Sequence, residues 1–248
     1  MIEEEFWNNL KKFTNARIGL RNSGTSIATT DQLRFQLSFA EAKDAVQKEL
    51  DENLISEQFS RQELPLYYLQ SEINNKAEFL YRPDLGRKLN TSSASLLSDL
   101  NPLPSDIAFV ICDGLSASAI HHHAVRFLSE FMVRNAAYSY SPLAVVRYGR
   151  VAIGDEVGFL LKTKLVVVLI GERPGLSTPD SMGIYFTYNP VPGLTDESRN
   201  CISNIHNKGL SYAQAAKKLS FLVNESLKRK ISGVLLKDKS DDYDLLTP

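Results

Sequence analysis

Two uninterrupted apolar runs, Asp106-Ile-Ala-Phe-Val-Ile-Cys112 and Leu165-Val-Val-Val-Leu-Ile170, each break off at a polar turn, Asp113-Gly-Leu-Ser116 and Gly171-Glu-Arg-Pro-Gly175. Such β-branched runs read as strands buried on both faces, the signature of a parallel sheet covered by helices. Ligands of these sheets collect beyond the carboxyl ends of the strands, which makes Asp113 and Glu172 candidate contacts. Ser116 is placed to cap a helix whose Ile120, Ala124, Phe127 and Phe131 share one face. Leu143-Ala-Val-Val-Arg147 reads as the next strand, Gly154 to Leu161 as a short helix, and Ile184-Tyr-Phe-Thr187 as another strand. Tyr212 to Ile231 is the closing helix, with Ala216, Leu219, Val223 and Leu227 as its buried stripe and Gly233 as its stop.

In the first hundred residues the apolar positions recur at helical spacing and no continuous β-rich run appears. Leu33, Leu37 and Ala40 share a helical face behind the capping candidates Thr29-Thr30-Asp31, which predicts a helix from near Thr30 to Leu50. A shorter helix is expected from near Ser56, then an extended piece at Leu66-Tyr-Tyr-Leu69, and turns over Tyr81-Arg-Pro-Asp-Leu-Gly-Arg87. Leu100-Asn-Pro-Leu-Pro-Ser105 reads as a linker. The expected fold is α/β: a helical N-terminal region (1–100) on a Rossmann-like, mostly parallel sheet flanked by helices (101–235), with a charged, disordered tail (236–248).

Composition narrows the classes of function. A chain of 248 residues, 43% of them hydrophobic, can build a sizeable core. Its 28 basic and 29 acidic residues leave a formal charge of -1, so no electrostatic case exists for nucleic acid or an anionic membrane as partner. No apolar stretch approaches the roughly 20 residues of a membrane span, and Met1-Ile-Glu-Glu-Glu5 is acidic where a secretory signal is basic. Two cysteines form no metal-like pair and no disulfide framework. A cytoplasmic, reducing location is expected.

Candidate chemistry is sparse. Consecutive side chains on a helix point about 100° apart, so His121-His-His123 cannot converge on one ion and reads as surface or helix-flank residues. No metal ligand is assigned. Cys112 is a small buried hydrophobe, whereas Cys201 opens Cys201-Ile-Ser-Asn-Ile-His206, where its thiol can either pack or face a ligand. His206-Asn-Lys-Gly209 has the His-x-x-Gly spacing of cobalamin proteins that use a histidine as lower ligand. Asn204 stands where the orienting Asp of that pattern belongs. Glu172 and Asp113 are open to three readings: acid or base, ligand anchor, or turn cap. Pro174 and Gly175 fix Glu172 on a rigid loop suited to accepting from a ligand amide. Arg147 and Arg150 end a neighbouring strand, free to pair with these acids or meet a phosphate. No Gly-x-Gly-x-x-Gly or Walker sequence is present.

Taken in order, Tyr81 to Arg87, Asp113 to Ser116, Val146-Arg-Tyr-Gly-Arg-Val151, Gly171-Glu-Arg-Pro-Gly-Leu176 and Cys201 to His206 resemble the small subunit of ethanolamine ammonia-lyase. The resemblance covers about Phe6 to Gly233. It implies adenosylcobalamin-dependent conversion of ethanolamine to acetaldehyde and ammonia by an oligomer of paired large and small subunits. The large subunit, a barrel, holds substrate and most of the radical chemistry, and this chain alone is inactive with no catalytic residue of its own. The small subunit closes over the corrin, with Val151, Glu172 and Cys201 at the matching cofactor-binding positions of the 101–235 domain. Because the family keeps cobalamin's own base, His206 is not expected to ligate cobalt. Members that enter bacterial microcompartments often carry an N-terminal amphipathic extension, which Met1-Ile-Glu-Glu-Glu5 does not resemble, so the microcompartment stands as the alternative to free cytoplasm. Two other readings compete: a self-sufficient α/β enzyme acting on a small polar substrate through Asp113 or Glu172, and a noncatalytic assembly module whose helical half holds a partner.

Overall fold

In a computed structural model that describes residues 2–14, 16–62 and 64–240, the chain opens with α1 (Ile2–Leu10) and a short hairpin of β1 (Asn22–Ser23) and β2 (Ser26–Ile27). Then come α2 (Thr29–Gln47), α3 (Glu52–Phe59), β3 (Leu66–Gln70), α4 (Lys76–Tyr81) and α5 (Thr91–Asp99). The second half runs β4 (Ser105–Cys112), α6 (Ala117–Arg134), β5 (Leu143–Arg147), α7 (Ile153–Leu160) and β6 (Thr163–Gly171). It ends with β7 (Met182–Tyr188), β8 (Arg199–Ile205) and α8 (Tyr212–Arg229).

One six-stranded sheet, in the order β3-β5-β4-β6-β7-β8, organises all of this. The two apolar runs pair with each other in parallel, Ile107 opposite Leu165 and Cys112 opposite Ile170. β3 and β5 continue the parallel part, while β7 and β8 are antiparallel additions. Each face has its own core. Phe109, Val167 and Phe186 point one way, to Phe127 and Phe131 of α6 and Leu219 and Val223 of α8. Ala108, Val110, Val166 and Val168 point the other way, to Ile153 and Val157 of α7 and Leu97 of α5. The mixed α/β sheet flanked by helices is as expected, and its edge strand β3 is the extended piece expected at Leu66–Leu69 within the mostly helical N-terminal region.

Several local expectations are refined. Ser116 caps α6, its side chain accepting from Ala119 N. α2 starts behind Ala28, which offers no side-chain cap, while Asp31 accepts from Arg21 N, so the expected Thr29-Thr30-Asp31 cap does not form. α3 starts at an Asp51 cap, before Ser56. α8 stops at Lys230, in the left-handed conformation at φ 58, three residues ahead of Gly233. Leu236 and Ser240 are buried, so the start of the tail is packed; residues 241–248 lie outside the described residues. On α2, Leu33 (59% exposed) and Leu37 (61%) form the predicted face, and both stay largely exposed. Among the described residues no helix is long and apolar enough to cross a membrane.

Candidate functional site

The crevice expected at the ends of β4 and β6 is closed at Asp113. Asp113 is 1% exposed, and its Oδ1 accepts from Gly114 N at 2.9 Å and Gly149 N at 3.2 Å, stitching the two strand-end loops together. Gly149 lies so close to Cys112 that a Cβ would sit 2.6 Å from its Sγ. Burial pushes the Asp113 carboxyl up to about 6, against the pull of Lys76. A carboxyl that holds its proton more tightly folded than unfolded stabilises the fold in acid. That contribution is lost as pH rises from 3.8 to about 6. Relative to Asp113→Asn, the native chain should therefore lose up to about 3 kcal/mol of stability between about pH 4 and pH 7, read by urea unfolding. Asp113 is thus a structural acid and no substrate contact, contrary to its place in the self-sufficient enzyme reading.

The open space lies beside it, on the face that α7 covers. Pro83, Arg87, Arg150, Val151, Ala152, Tyr185, Asp196, Arg199 and Cys201 line a cavity of about 340 Å³. Val151 and Cys201, fifty residues apart in the chain, are brought together here. α7 begins just after Val151, and Cys201 faces Tyr185 across the β7–β8 pairing. Burial of the sulfur raises the Cys201 thiol, opposed by its hydrogen bond with Tyr185, so this exposed residue presents a neutral thiol rather than a thiolate. Glu172 stands outside the cavity wall but on the same face. A Cβ on Gly183 would lie 2.9 Å from Glu172 Oε1, and Gly183 and Tyr185 share a face of β7. The Glu172 carboxylate accepts from the Ser181 hydroxyl at 2.5 Å and from Asn204 N at 3.4 Å, which fixes it at the mouth of the β6–β7 connection.

Arginines give the cavity its chemistry. Arg150 donates to Phe79 O at 2.9 Å and lies 4.0 Å over the Phe79 ring, while Arg147 turns away to pair with Glu52 at 2.9 Å. Arg199 in the cavity wall forms an ion pair with Asp155 behind it, both buried, and also donates to the Thr195 and Leu194 carbonyls. Burial holds the Asp155 carboxyl up at about 6 even with Arg199 beside it. Sequence reasoning missed Arg87, Tyr185, Arg199 and Asp155. The last pair spans 44 positions, and no local pattern joins it.

The histidines divide. His206 Nδ1 accepts from Lys208 N at 3.3 Å, so its Nε2 carries the proton and donates to Asn204 Oδ1 at 2.9 Å. No ring lone pair is left for a metal. The expectation that His121 to His123 lie at the surface fails for two of the three. His121 accepts from Asp51 N at 3.0 Å, and His123 reaches the Tyr212 hydroxyl at 2.7 Å; both are buried because the N-terminal turns of α6 are covered by α3 and α8. His122 is exposed and meets Asp180 at 3.0 Å.

The geometry defines a mixed α/β chain whose candidate site is an arginine-lined depression on one sheet face. Residues 4–237 match the family described as "Ethanolamine ammonia-lyase light chain (EutC)". The chain is 48% identical over 252 residues to a protein named ethanolamine ammonia-lyase small subunit from Pseudomonas fluorescens, covering 97% of this chain and 91% of the relative. It is 49% identical over 239 residues to the same-named protein of Pseudomonas syringae pv. tomato (94% and 83%), and 46% over 243 residues to that of Pseudomonas putida (96% and 89%). The chain belongs to the ethanolamine ammonia-lyase light-chain family, and is an ammonia-lyase subunit that acts within a complex. The resemblance drawn from its motifs is borne out.

Proposed function

We propose that the chain closes over the corrin of adenosylcobalamin at its interface with a large subunit, which binds ethanolamine and converts it to acetaldehyde and ammonia. The observation that carries this reading is the common placement of Val151, Glu172 and Cys201 on one face of the sheet, two of them in one cavity. A cavity of about 340 Å³ is too small to enclose a corrin and suits one that is held between two chains. Val151 and the neutral Cys201 thiol would give apolar contact. The Glu172 carboxylate would accept from a corrin amide, a charge-assisted hydrogen bond. When bound, the cofactor supplies the radical by homolysis of its cobalt–carbon bond; this chain's residues bind and orient it. His206, with both ring nitrogens engaged, fits a cobalamin that keeps its own lower base. Exposed Leu33 and Leu37 on one side of α2, and Phe35 and Phe39 on the opposite side, offer the large subunit apolar contacts.

Ammonia release from ethanolamine and adenosylcobalamin is expected only when the large subunit is added, and activity of this chain alone would overturn the reading. In the assembled complex Glu172→Ala should weaken cobalamin binding about tenfold, read by spectroscopic titration. An unchanged affinity would remove Glu172 from the contact set.

A further inference from the structure

Two of the three consecutive histidines do converge, with the help of a residue from elsewhere. His122 and His123 rings stand nearly perpendicular, at 79° with centroids 5.9 Å apart. Asp180, from the β6–β7 connection, lies across both, with Oδ2 at 3.0 Å from His122 Nδ1 and 3.7 Å from His123 Nε2. All three ligand atoms fall within 4.8 Å of one another. The helical rotation that separates neighbouring side chains is overcome because His122 offers the ring nitrogen nearer its backbone and His123 the farther one.

The geometry points to a divalent transition-metal site, zinc foremost, formed by His122 Nδ1, His123 Nε2 and Asp180 Oδ2. Tetrahedral zinc with bonds of about 2.0–2.1 Å needs ligand atoms about 3.3 Å apart, which lies between the two separations to Asp180. A second observation is independent of that spacing. His123 is 1% exposed, and its Nε2 has no hydrogen-bond partner, a costly state for a buried polar atom that an ion would relieve. Its other nitrogen, Nδ1, is 2.7 Å from the Tyr212 hydroxyl, which accepts from Nδ1–H when Nε2 holds an ion. The half-exposed His122 and the bordering cavity give an ion access and leave room for a water as fourth ligand. Arg126 borders the same cavity and opposes a loosely held cation. This favours an ion bound directly by imidazole over magnesium or calcium. A bound ion would tie the start of α6 to the connection between residues 172 and 181, and so would stiffen that segment.

The test uses the full-length chain without a histidine tag, titrated with zinc chloride by calorimetry and with cobalt chloride by absorption. One ion per chain is expected, with the intense visible bands of four- or five-coordinate cobalt(II). His122→Ala and Asp180→Asn, both at accessible positions that leave the fold intact, should each weaken binding by about tenfold or more. Zinc should raise the melting temperature of the native chain and not of these variants. Cys201→Ser must bind zinc as the native chain does. Absence of stoichiometric binding, undiminished affinity in His122→Ala and Asp180→Asn, or loss in Cys201→Ser would each overturn the site.

Discussion

Gly171→Ala is expected to lower the melting temperature by roughly 6 to 12 °C, from a cost of about 3 kcal/mol in a chain of this size. A Cβ at residue 171 would sit 2.1 Å from Ser116 O, 2.5 Å from Asp113 O and 2.7 Å from Ser116 C. All three are backbone atoms, so no side chain can turn aside. The opposing residue is also glycine: Gly114 holds φ +56, and a Cβ there would lie 2.4 Å from Gly171 O. Two glycines back to back let the loop after β4 lie on the end of β6, where Leu115 N donates to Gly171 O at 3.0 Å. Gly175→Ala is the control. Its Cβ would meet nothing nearer than Thr178 O at 3.6 Å, an ordinary contact, and stability should change by no more than about 0.5 kcal/mol. Thermal unfolding of the two variants side by side decides the matter; equal melting points would refute the close approach of the loops.

Arg199→Met is expected to cost about 3–5 kcal/mol at pH 8, because it leaves the Asp155 carboxylate buried without its partner. The cost should shrink at pH 5. Burial already holds Asp155 at about 6 with Arg199 present, and losing the guanidinium raises it further, so in acid the group takes up a proton and the unpaired charge disappears. Urea unfolding at the two pH values measures this difference. The double variant Asp155→Leu/Arg199→Met should regain most of the loss, since apolar groups of similar size replace both charges. A cost that is the same at both pH values would mean that Asp155 does not carry it.

The sheet centre was legible because β4 and β6 carry their burial in unbroken apolar runs, and α6 announces itself with Ser116 and a stripe at 3.6-residue spacing. β8 was not. An edge strand buries little: only Ile202, Ile205 and Arg199 of Arg199-Asn-Cys-Ile-Ser-Asn-Ile205 are covered, and the rest reads as a polar loop. The stop at Lys230 was missed because a lysine in the left-handed conformation carries no sequence mark of the kind that glycine does. At the candidate site the motifs suggested Val151, Glu172 and Cys201, and the fold adds what motifs cannot, the guanidinium of Arg199 and the ring of Tyr185 lining the same cavity as Val151 and Cys201. The histidine run shows the same division. The rotation along α6 could be worked out from three adjacent letters, but Asp180 reaches them only through the return of β7 along β6.

The edge strand β3 has a consequence for how the chain must be made. Its partner in the sheet is β5, with Leu66 opposite Leu143, so during synthesis β3 leaves the ribosome long before the strand that will hold it exists. The emerging N-terminal hundred residues carry a strand that lacks its sheet partner and an α2 with exposed Leu33 and Leu37. Closure waits for a contact distant in sequence, which slows folding and lengthens exposure to aggregation.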